Sequence, residues 1–456
     1  MIHTSHGWWL AEAGPVEPFP ALDGERSADV VVIGGGYAGL WTAWQLRERG
    51  ARVAVLEAAL CGHGPSGRNG GFCETLWTNL PSLIERFGRE KALATAEASS
   101  ETVAAIGAWC EAQGVDAWFT RAGYLQVSTT AAQDAALDHV LEVAPAGRVQ
   151  ALDGAALRAR CDSPRFRRGM IVPDDATVQP ARLALGLRDR VRAAGAEVYE
   201  RSRVRALHVA GPGEVVAETA SGRVRAGAAV LAVNAATRGI APLRSRLSVT
   251  SSHIVLTEPV PDVLEAIGWT GGESVADSRT FLHYTRTTRD GRIAFGWGGG
   301  RLAVGARLNG RVEVDAAVAA ELREHLVTMF PALEGRAITH AWGGPIDVSP
   351  SHIPQIGTLD GAPVHYAFGF TGNGVGPSHL AGRALAALAS GEPSDLALDD
   401  PAPVHVPPEP LAWLGGLLVR RAFLRKERLE EAGRAVDPIT GVVAAAPRVM
   451  GIHVAR

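Results

Sequence analysis

The stretch Asp29-Val30-Val31-Val32-Ile33-Gly34-Gly35-Gly36-Tyr37-Ala38-Gly39 joins a short apolar run to a glycine-rich turn. The apolar run predicts a buried β-strand, and the pattern after Gly39 predicts a helix that ends at Gly50. Residues 51–56 predict a second strand, and Glu57 stands at its end. A strand, a glycine turn, a helix, a second strand and a terminal acid at these distances are typical of a dinucleotide-binding unit.

Each part of this unit has its own physical role. Gly34 allows the tight turn, Gly36 lets the backbone approach a pyrophosphate, and Gly39 lets the helix pack closely on the strand. The helix N-terminus offers unpaired N–H groups and partial positive charge to the phosphates. The Glu57 carboxylate can accept hydrogen bonds from ribose hydroxyls and would repel a 2′-phosphate, which argues against NADP. The unit alone leaves FAD and NAD open, and its alternative is a glycine-rich turn without a ligand.

The composition sets limits on the class of protein. The chain has 456 residues, enough for two domains, with 46% hydrophobic and 20% charged residues and a net charge of −3. This charge does not call for a nucleic-acid partner. The four cysteines show neither redox nor metal spacing, so reduced thiols and a cytoplasmic location are expected, with no metal. No signal peptide and no apolar run of the ~18 residues that suggest a membrane span are recognised.

A second glycine cluster distinguishes between the two dinucleotides. Residues 364–370 predict a strand that leads into Gly372-Asn373-Gly374-Val375-Gly376, and a helix is predicted from Pro377 to Ala389. A second helix N-terminus suits a reduced flavin, whose ring carries negative charge near N1 and C2=O. The small residues of the 61–72 loop can lie over the ribityl chain and the ring. FAD is therefore favoured, although a capped helix and a surface loop are the alternatives.

The order of elements predicts the architecture. βαβ character occurs at the start, in the middle and near the end of the chain, and residues 250–300 read as antiparallel β-structure. We expect an α/β fold (α+β overall), with a discontinuous Rossmann-like FAD-binding domain of glutathione-reductase type and an inserted substrate domain on a mainly antiparallel sheet. The predicted FAD-binding domain comprises residues 1–80, 150–245 and 340–400. The predicted substrate domain comprises residues 81–149 and 246–339, and residues 401–456 form a tail with a basic amphipathic helix.

Four motifs carry a resemblance to a known family: VVVIGGGYAGL, LEAALCGHGPSGRNGGF, VLAVNAAT and GFTGNGVGPSHLAG. Together they resemble the D-amino acid oxidase and glycine oxidase superfamily of FAD-dependent oxidoreductases. Within it, the chain is similar to the gamma-glutamylputrescine oxidoreductase branch and to proteins described as aminophosphonate oxidoreductases. The resemblance covers essentially the full chain, and its motifs are specific for FAD and fold but weak for substrate.

The resemblance implies a set of cofactor contacts. Glu57 would bind the ribose, and Val204 would hold adenine through its backbone. The FAD is expected to be non-covalent, with attachment at His63 as the open alternative, because His63 stands one residue from a position that other relatives use. The remaining implied contacts, to the pyrophosphate, the ribityl chain and the ring, are Gly34, Gly36, Ala38, Gly39, Ser66, Arg68, Asn69, Gly70, Gly71, Gly372, Asn373, Gly374, Val375 and Gly376.

The resemblance also implies the reaction. The C–N bond of a small amine, amino acid or aminophosphonate would be oxidised to an imine by hydride transfer to flavin N5, and water would then give a carbonyl and ammonia or an amine. Tyr284 and Arg286 share one face of a predicted strand, so Arg286 could clamp a carboxylate or phosphonate with help from the Tyr284 hydroxyl. The alternative is a surface arginine on a hairpin.

The electron acceptor is less defined by the sequence. Molecular oxygen is favoured, and with it an oxidase over a dehydrogenase, although neither Lys91 nor Lys426 lies where some relatives place a lysine beside the flavin. The basic tail helix could rest on a membrane and pass electrons to quinone, but packing on its own protein or on a second subunit is favoured. A non-catalytic FAD-binding protein is the remaining alternative.

Overall fold

The computed structural model describes residues 1–211, 213–305, 307–400 and 402–453, so residue 401 and the last three residues of the predicted tail lie outside the described residues. The α-helices within these ranges are α1 (Gly7–Ala13), α2 (Tyr37–Glu48), α3 (Leu80–Phe87), α4 (Arg89–Gln113), α5 (Ala131–Val143), α6 (Gly154–Arg158), α7 (Pro180–Ala193), α8 (Pro261–Ala266), α9 (Ala316–Met329), α10 (Val375–Ala389), α11 (Leu411–Glu431) and α12 (Pro438–Val449).

The β-strands of the described residues form two large sheets and one small sheet. In chain order they are β1 (Ile2–His3), β2 (Gly24–Ile33), β3 (Val53–Leu56), β4 (Phe72–Cys73), β5 (Tyr124–Ser128), β6 (Gln150–Leu152), β7 (Arg168–Val172), β8 (Ala176–Thr177), β9 (Glu197–Tyr199), β10 (Ala206–Gly211), β11 (Glu214–Glu218), β12 (Gly222–Leu231), β13 (Ser248–Thr257), β14 (Ser274–Asp277), β15 (His283–Thr287), β16 (Ile293–Trp297), β17 (Ile338–Val348), β18 (Gln355–Thr358) and β19 (Val364–Phe368).

An eight-stranded sheet contains the predicted dinucleotide-binding unit. Its order is β10-β11-β12-β2-β3-β9, and β19 pairs with β12 and with β18. The contacts β12–β2, β2–β3, β3–β9 and β12–β19 are parallel, so these strands end at the same edge of the sheet. The end of β2 is buried on both faces, which explains its continuous apolar run. This parallel core agrees with the predicted Rossmann-like fold.

Helix α2 lies close to this sheet because Gly34 and Gly39 have no side chains where helix and strand meet. A Cβ atom on Gly39 would collide with the carbonyl oxygen of Gly34, and a Cβ atom on Gly34 would collide with the carbonyl oxygen of Ala232. Helix α10 packs beside α2 on the same face of the sheet, where a Cβ atom on Gly382 would lie 2.6 Å from Cβ of Trp41. The N-termini of both helices are thereby held at the edge where the parallel strands end.

A nine-stranded sheet, mainly antiparallel, forms the second half of the molecule. Its order is β1-β17-β13-β16-β15-β14-β5-β7-β6, and only β1–β17 and β14–β5 are parallel pairs. A hairpin turn at residues 289–291 joins β15 to β16 within the region predicted to be antiparallel, with Gly291 at φ 76°. Helix α9 covers one face through a core that includes Leu322, Leu326 and Phe295. The opposite face looks toward the parallel sheet.

Several element boundaries differ from those predicted. Strands β6, β7 and β17 belong to the antiparallel sheet, because β7 pairs with β5 and β17 with β13, although the predicted division assigns residues 150–172 and most of β17 to the FAD-binding domain. Strand β9, which precedes Val204, ends at Tyr199. Residues 10–28 contain the end of α1 and the first half of β2. The division into domains stays a prediction.

The C-terminal helices pack on the antiparallel half of the protein. Phe423 of α11 is buried, and its ring lies 6.1 Å from the ring of Phe281, edge to face. None of the described helices combines the length and the apolar character needed to cross a membrane. The tail was predicted to pack on its own protein or on a second subunit, and the structure shows contact with its own protein.

A buried ion pair fixes the segment that leads into the parallel sheet. The Glu200 carboxylate receives the Arg188 guanidinium at 2.8 Å and also accepts the backbone N–H groups of Phe19 (2.7 Å) and Cys61 (2.9 Å). Arg188 donates a further hydrogen bond to the carbonyl of Glu17 at 2.6 Å. The two side chains are almost fully buried, so removal of one partner leaves an uncompensated charge.

We expect Arg188→Met to lower the free energy of unfolding by about 3–5 kcal/mol, because the Glu200 carboxylate would stay buried without its cation. Chemical denaturation followed by circular dichroism measures this loss. The matched control is Arg225→Met, which breaks an exposed 3.3 Å pair with Glu214 and should cost no more than about 1 kcal/mol. Equal losses in the two variants would contradict the assigned role of the buried pair.

Candidate active site

A cavity of about 1980 Å³ lies between the two large sheets. This volume is roughly twice the upper range of ~300–1,000 Å³ that is usual for small-ligand pockets. Its walls include the loops that follow β2, β3, β12 and β19, strands of the antiparallel sheet, and the C-terminal helices. The cavity therefore has room for a dinucleotide together with a second small molecule.

The glycine turn after β2 forms one wall of this cavity. Gly34, Gly36 and Ala38 line the cavity, whereas Gly39 lies behind them against β2. Ser66, from the loop predicted to follow the ribityl chain, lies at the same place, because its Oγ accepts the N–H of Tyr37 at 2.9 Å. The structure thus brings the first-turn backbone of α2 and this loop together.

Glu57 lies beside the glycine turn at the end of β3. Its two carboxylate oxygens accept the N–H groups of Gly35 and Ala59, each at 2.7 Å. Burial raises the pKa of Glu57, and these two backbone hydrogen bonds act in the opposite direction. Because each carboxylate oxygen has two acceptor positions, both oxygens can still accept a hydroxyl proton from a ribose.

The loop over residues 66–71 is shaped by its own side chains. The Asn69 amide donates to the carbonyls of Pro65 (3.1 Å) and Ser66 (2.9 Å), and its oxygen accepts the N–H of Gly71 at 2.7 Å. The Arg68 guanidinium is paired with Glu313 at 3.1 Å. Ser66, Arg68, Asn69 and Gly70 line the cavity, while Gly71 is packed against the neighbouring backbone.

The second glycine cluster lies across the cavity from the first. Gly372, Asn373, Gly374 and Val375 line the cavity, and a Cβ atom on Gly376 would collide with the carbonyl oxygen of Glu74. Helix α10 begins here with neither a side-chain cap nor an acid in its first turn, so its first N–H groups lack side-chain acceptors. The Oδ1 atom of Asn373 is buried without a hydrogen-bond partner.

These features fit a flavin dinucleotide. Val204, predicted to contact adenine, lines the cavity after β9, on the same side as Glu57. A second buried oxygen without a partner, Oδ1 of Asn234, lies in the wall that follows β12. Two helix N-termini whose N-cap residues are glycines, two buried amide oxygens without partners and a terminal carboxylate in one cavity provide donors and acceptors for both ends of such a cofactor.

The antiparallel sheet forms one wall of the cavity, and this wall carries a hydrogen-bonded pair of hydroxyl groups. The Tyr284 hydroxyl lies 2.7 Å from Oγ of Ser252, which donates to the carbonyl of Trp297 at 2.9 Å. Because the single Ser252 hydroxyl proton is used on this carbonyl, Tyr284 must be the donor in their shared bond. Burial raises the pKa of Tyr284 to about 12, so the phenol keeps its proton at neutral pH. The phenolic oxygen remains an acceptor toward the cavity.

The structure does not place Arg286 where a substrate anion could reach it. Its side chain lies on the same face of β15 as Tyr284, as predicted, but it is 4% exposed and does not line the cavity. Its guanidinium donates to the carbonyls of Gly71, Val178 and Thr287, and lies 5.4 Å from the ring of Trp9. The guanidinium that was predicted to bind a substrate anion therefore binds backbone carbonyls beneath the 66–71 loop.

Two residues of the cavity were missed by the sequence reasoning. Glu74 lines the cavity two positions after Phe72, and burial, followed by the nearby Asp175 carboxylate, raises its pKa well above the usual value. Tyr124, at the start of β5, lines the same wall as Tyr284. An acid immediately after a glycine-rich loop was a signal in the sequence, whereas nothing local marked Tyr124.

The surroundings of the other histidines and of the lysines show where these side chains lie. His283 is buried on the opposite face of the sheet, with Nδ1 2.8 Å from Asp277 and Nε2 2.9 Å from His325. His63 lines the cavity near His6, 6.0 Å between ring centroids. The two lysines lie away from the cavity, and among the described residues no cluster of His, Cys, Asp or Glu has a metal-binding arrangement.

The fold and this cavity define a class: flavoproteins with a Rossmann-like domain and an antiparallel substrate sheet. A family model agrees with this class, because the model described as FAD dependent oxidoreductase (DAO) matches residues 29–388. The chain belongs to this family of FAD-dependent oxidoreductases. FAD is thereby confirmed as the cofactor, and the predicted non-covalent binding is what is typical of the family.

Curated relatives span most of the chain. Gamma-glutamylputrescine oxidoreductase of Escherichia coli (strain K12) is 31% identical over 396 residues, which is 86% of this chain and 90% of that protein. Probable oxidoreductase OrdL of Rhizobium meliloti (strain 1021) is 30% identical over 422 residues, 87% of this chain and 91% of that protein. These relatives agree with the branch that the sequence motifs indicated.

A solved structure supports the fold. Glycine oxidase from Geobacillus kaustophilus superimposes with a TM-score of 0.65 at 22% sequence identity, covering 81% of this chain and 96% of that chain. The predicted fold class is confirmed by this similarity. The individual cofactor and substrate contacts stay predictions, although most of the predicted cofactor residues line one cavity.

The buried carboxyl group of Asp347 makes the stability of the folded protein depend on pH. Its carboxyl group is buried beside the second glycine cluster and accepts the N–H of Gly369 at 2.5 Å, and burial raises its pKa to about 7 from the ordinary 3.8. In the unfolded chain the group ionises near pH 4, whereas in the folded chain it stays protonated up to about pH 7. Its contribution to stability is complete below pH 4 and is lost as the pH rises through 7.

We therefore expect Asp347→Asn to gain stability relative to the wild type as the pH rises from 4 to 7, by up to about 4 kcal/mol. Urea unfolding of the FAD-free protein at several pH values measures this difference. Asp360→Asn, at an exposed position, controls for the change in net charge. A constant difference between Asp347→Asn and wild type over this range would show that Asp347 does not titrate as described.

Proposed function

We propose that this protein oxidises the C–N bond of a small amine, amino acid or aminophosphonate to an imine, which water converts to a carbonyl compound and ammonia or an amine. FAD, when bound, accepts the hydride from the carbon next to the nitrogen. The family and the 31% identity to gamma-glutamylputrescine oxidoreductase over 90% of its length support an amine substrate. The single observation that carries the proposal is the continuity of one cavity from the dinucleotide edge to the Tyr284 wall.

The residues of the chain contribute mainly orientation in this proposal. The Tyr284 oxygen, whose proton is directed to Ser252, accepts a hydrogen bond from the substrate amine and holds its carbon toward the flavin. Burial, and then the nearby Asp175 carboxylate, raise the pKa of Glu74 well above its usual value, which favours the neutral form of this cavity side chain. The apolar Tyr124 and Phe72 rings, 6.3 Å apart, exclude water from the same region.

The electron acceptor forms the second part of the proposal. Molecular oxygen in the cytoplasm is the acceptor that we favour, and the buried free thiols suit a reducing compartment. One observation favours quinone at a membrane surface as the second candidate: several large apolar side chains of the tail helices are exposed. Those that do not line the cavity are Leu414, Ile439 and Val449.

Anaerobic mixing of the FAD-loaded protein with amines tests the function. The flavin absorbance should bleach with at least one member of a panel that contains γ-glutamylputrescine, short diamines, amino acids and 2-aminoethylphosphonate. Hydrogen peroxide after air is admitted indicates an oxidase, whereas slow reoxidation by air and fast reoxidation by a soluble quinone indicate the second candidate. Absence of bleaching by the whole panel would overturn the proposal.

Glu57 provides a separate test of the cofactor site. We expect Glu57→Leu to weaken FAD binding at least about tenfold, since it removes charged hydrogen bonds of about 1.5–3 kcal/mol each. Quenching of FAD fluorescence by the FAD-free protein measures the dissociation constant. Glu48→Leu, at the exposed end of α2, is the control and should leave FAD binding unchanged. An unchanged dissociation constant in Glu57→Leu would remove this carboxylate from the site.

A further inference from the structure

The Glu74 side chain lies in a part of the cavity wall that is largely aromatic. Side chains alternate along β4 and the residue after it, so Phe72 and Glu74 both line the cavity while Cys73 between them is buried in the core. The Phe72 ring lies 5.6 Å from the ring of Tyr284 and 6.3 Å from the ring of Tyr124, edge to face in both pairs. Three aromatic rings and one carboxyl group therefore share this region.

The antiparallel sheet leaves space between the two tyrosines. Tyr284 of β15 and Tyr124 of β5 both line the cavity, and β14 runs between their strands. Ala276 of β14 is the residue opposite Tyr284, and this small residue lines the cavity too. A small ligand group can therefore lie over Ala276, with a tyrosine on each side.

Glu74 has no partner within the described part of the chain. There, its carboxyl group has neither a hydrogen-bond donor nor a cation within bonding distance. The nearby Asp175 carboxylate is held separately, because it accepts the N–H of Thr75 at 2.8 Å. A buried carboxylate without hydrogen bonds or a cation is costly, so this position favours a ligand that brings positive charge and N–H groups.

The other carboxyl groups that line the cavity have partners. Glu57 and Asp347 accept backbone N–H groups, and Glu313 is paired with Arg68 at 3.1 Å. Among the described residues of the cavity wall, Glu74 is thus the carboxyl group that is left to a ligand.

The titratable groups around Glu74 are other acids. Burial, and then the Asp175 carboxylate, raise the pKa of Glu74 well above its usual value. Burial, and then Glu74, raise the pKa of Tyr124, so the carboxyl group lies on the Tyr124 side. Cys73 of β4 is a third neighbour, and α4 brings the apolar Val103 to the same place. A cation here would lower the pKa of Glu74 and would be attracted by the ring faces as well as by the carboxylate.

We propose that Glu74 binds the ammonium form of the substrate amine between these rings and accepts the proton that must leave before hydride transfer. The inference rests on the proposed function and deepens it by assigning the proton acceptor. Alkylamines are protonated at neutral pH, whereas the nitrogen needs its lone pair to form the C=N bond. The proton passes from nitrogen to the Glu74 carboxylate. The C–H electron pair then leaves as hydride to FAD, and the neutral amine becomes an iminium ion.

Isothermal titration calorimetry of the FAD-loaded protein tests the cation site, without oxygen and at constant ionic strength. The probes are methylammonium and tetramethylammonium, and the second can be neither deprotonated nor oxidised. We expect the wild type to bind at least one of them, more tightly at about pH 9 than at about pH 6, because a cation prefers the ionised carboxyl group. Glu74→Gln should weaken this binding at least about tenfold at the higher pH and remove most of its pH dependence.

Two controls accompany this titration. Glu111→Gln removes an exposed carboxylate from α4 and should bind the cations like the wild type. The compound tert-butanol has nearly the shape of tetramethylammonium without its charge, so its binding should be the same in wild type and in Glu74→Gln.

Stopped-flow reduction of the flavin by an amine that bleaches it tests the proton transfer. We expect Glu74→Gln to slow this reduction at neutral pH by at least about a hundredfold, the usual effect of losing a general base. The loss should shrink as the pH rises toward the pKa of the free amine, because the solution then supplies the neutral amine. A loss of equal size at every pH would indicate a structural role and would overturn the assignment of the proton acceptor.

The outcomes separate this inference from the proposed function. Failure of both cations to bind the wild type, or equal affinities in wild type and Glu74→Gln, would overturn the assignment of Glu74 even when amines bleach the flavin. Absence of bleaching by every amine would overturn the proposed function, whereas the calorimetry would still report on the cation site. If Glu74→Gln does not retain FAD, Glu74→Met, which is of similar size, takes its place and must show the same loss of cation affinity.

Discussion

At Gly34 the end of β2, the first turn of α2 and the segment after β12 meet with no space for a methyl group. A Cβ atom there would collide with the Ala232 carbonyl oxygen, and one on Gly39 would collide with the Gly34 carbonyl oxygen. This contact holds the N-terminus of α2 at the edge where the parallel strands end. Because the helix dipole acts only within the first turn, a phosphate site needs that close approach. The cofactor half of the cavity therefore depends on glycines at these positions, because any side chain would prevent the contact.

This dependence explains why the cofactor site could be predicted from the sequence. Close backbone contacts require glycine at fixed positions, and such positions are visible in the sequence without any knowledge of distant neighbours. The same constraint recurs at Gly71, where a Cβ atom would collide with the Val178 carbonyl oxygen, and at Gly376, where it would collide with that of Glu74. Ser66 and Asn69 were implied by the family resemblance, and both line the cavity, but their contacts with the cofactor stay predictions.

The substrate side was less predictable because it is assembled from distant segments. Strand alternation correctly placed Tyr284 and Arg286 on one face of β15. The two-residue period predicts the face on which a side chain lies, but not whether that side chain is covered by another segment. Tyr284 ends at the cavity beside Gly70, whereas Arg286 continues beneath Gly71 to backbone carbonyls. Which of the two reaches a ligand depends on the loop that covers them, and this loop comes from the other half of the protein.

The tail shows the same difference between local and long-range information. Its periodicity predicted an amphipathic helix, and the packing of Phe423 on Phe281 decides which residue of that helix points to the cavity. Buried arginines show the same dependence, because their acceptors come from other segments of the chain: Glu200 for Arg188, and the carbonyls of Gly71 and Val178 for Arg286.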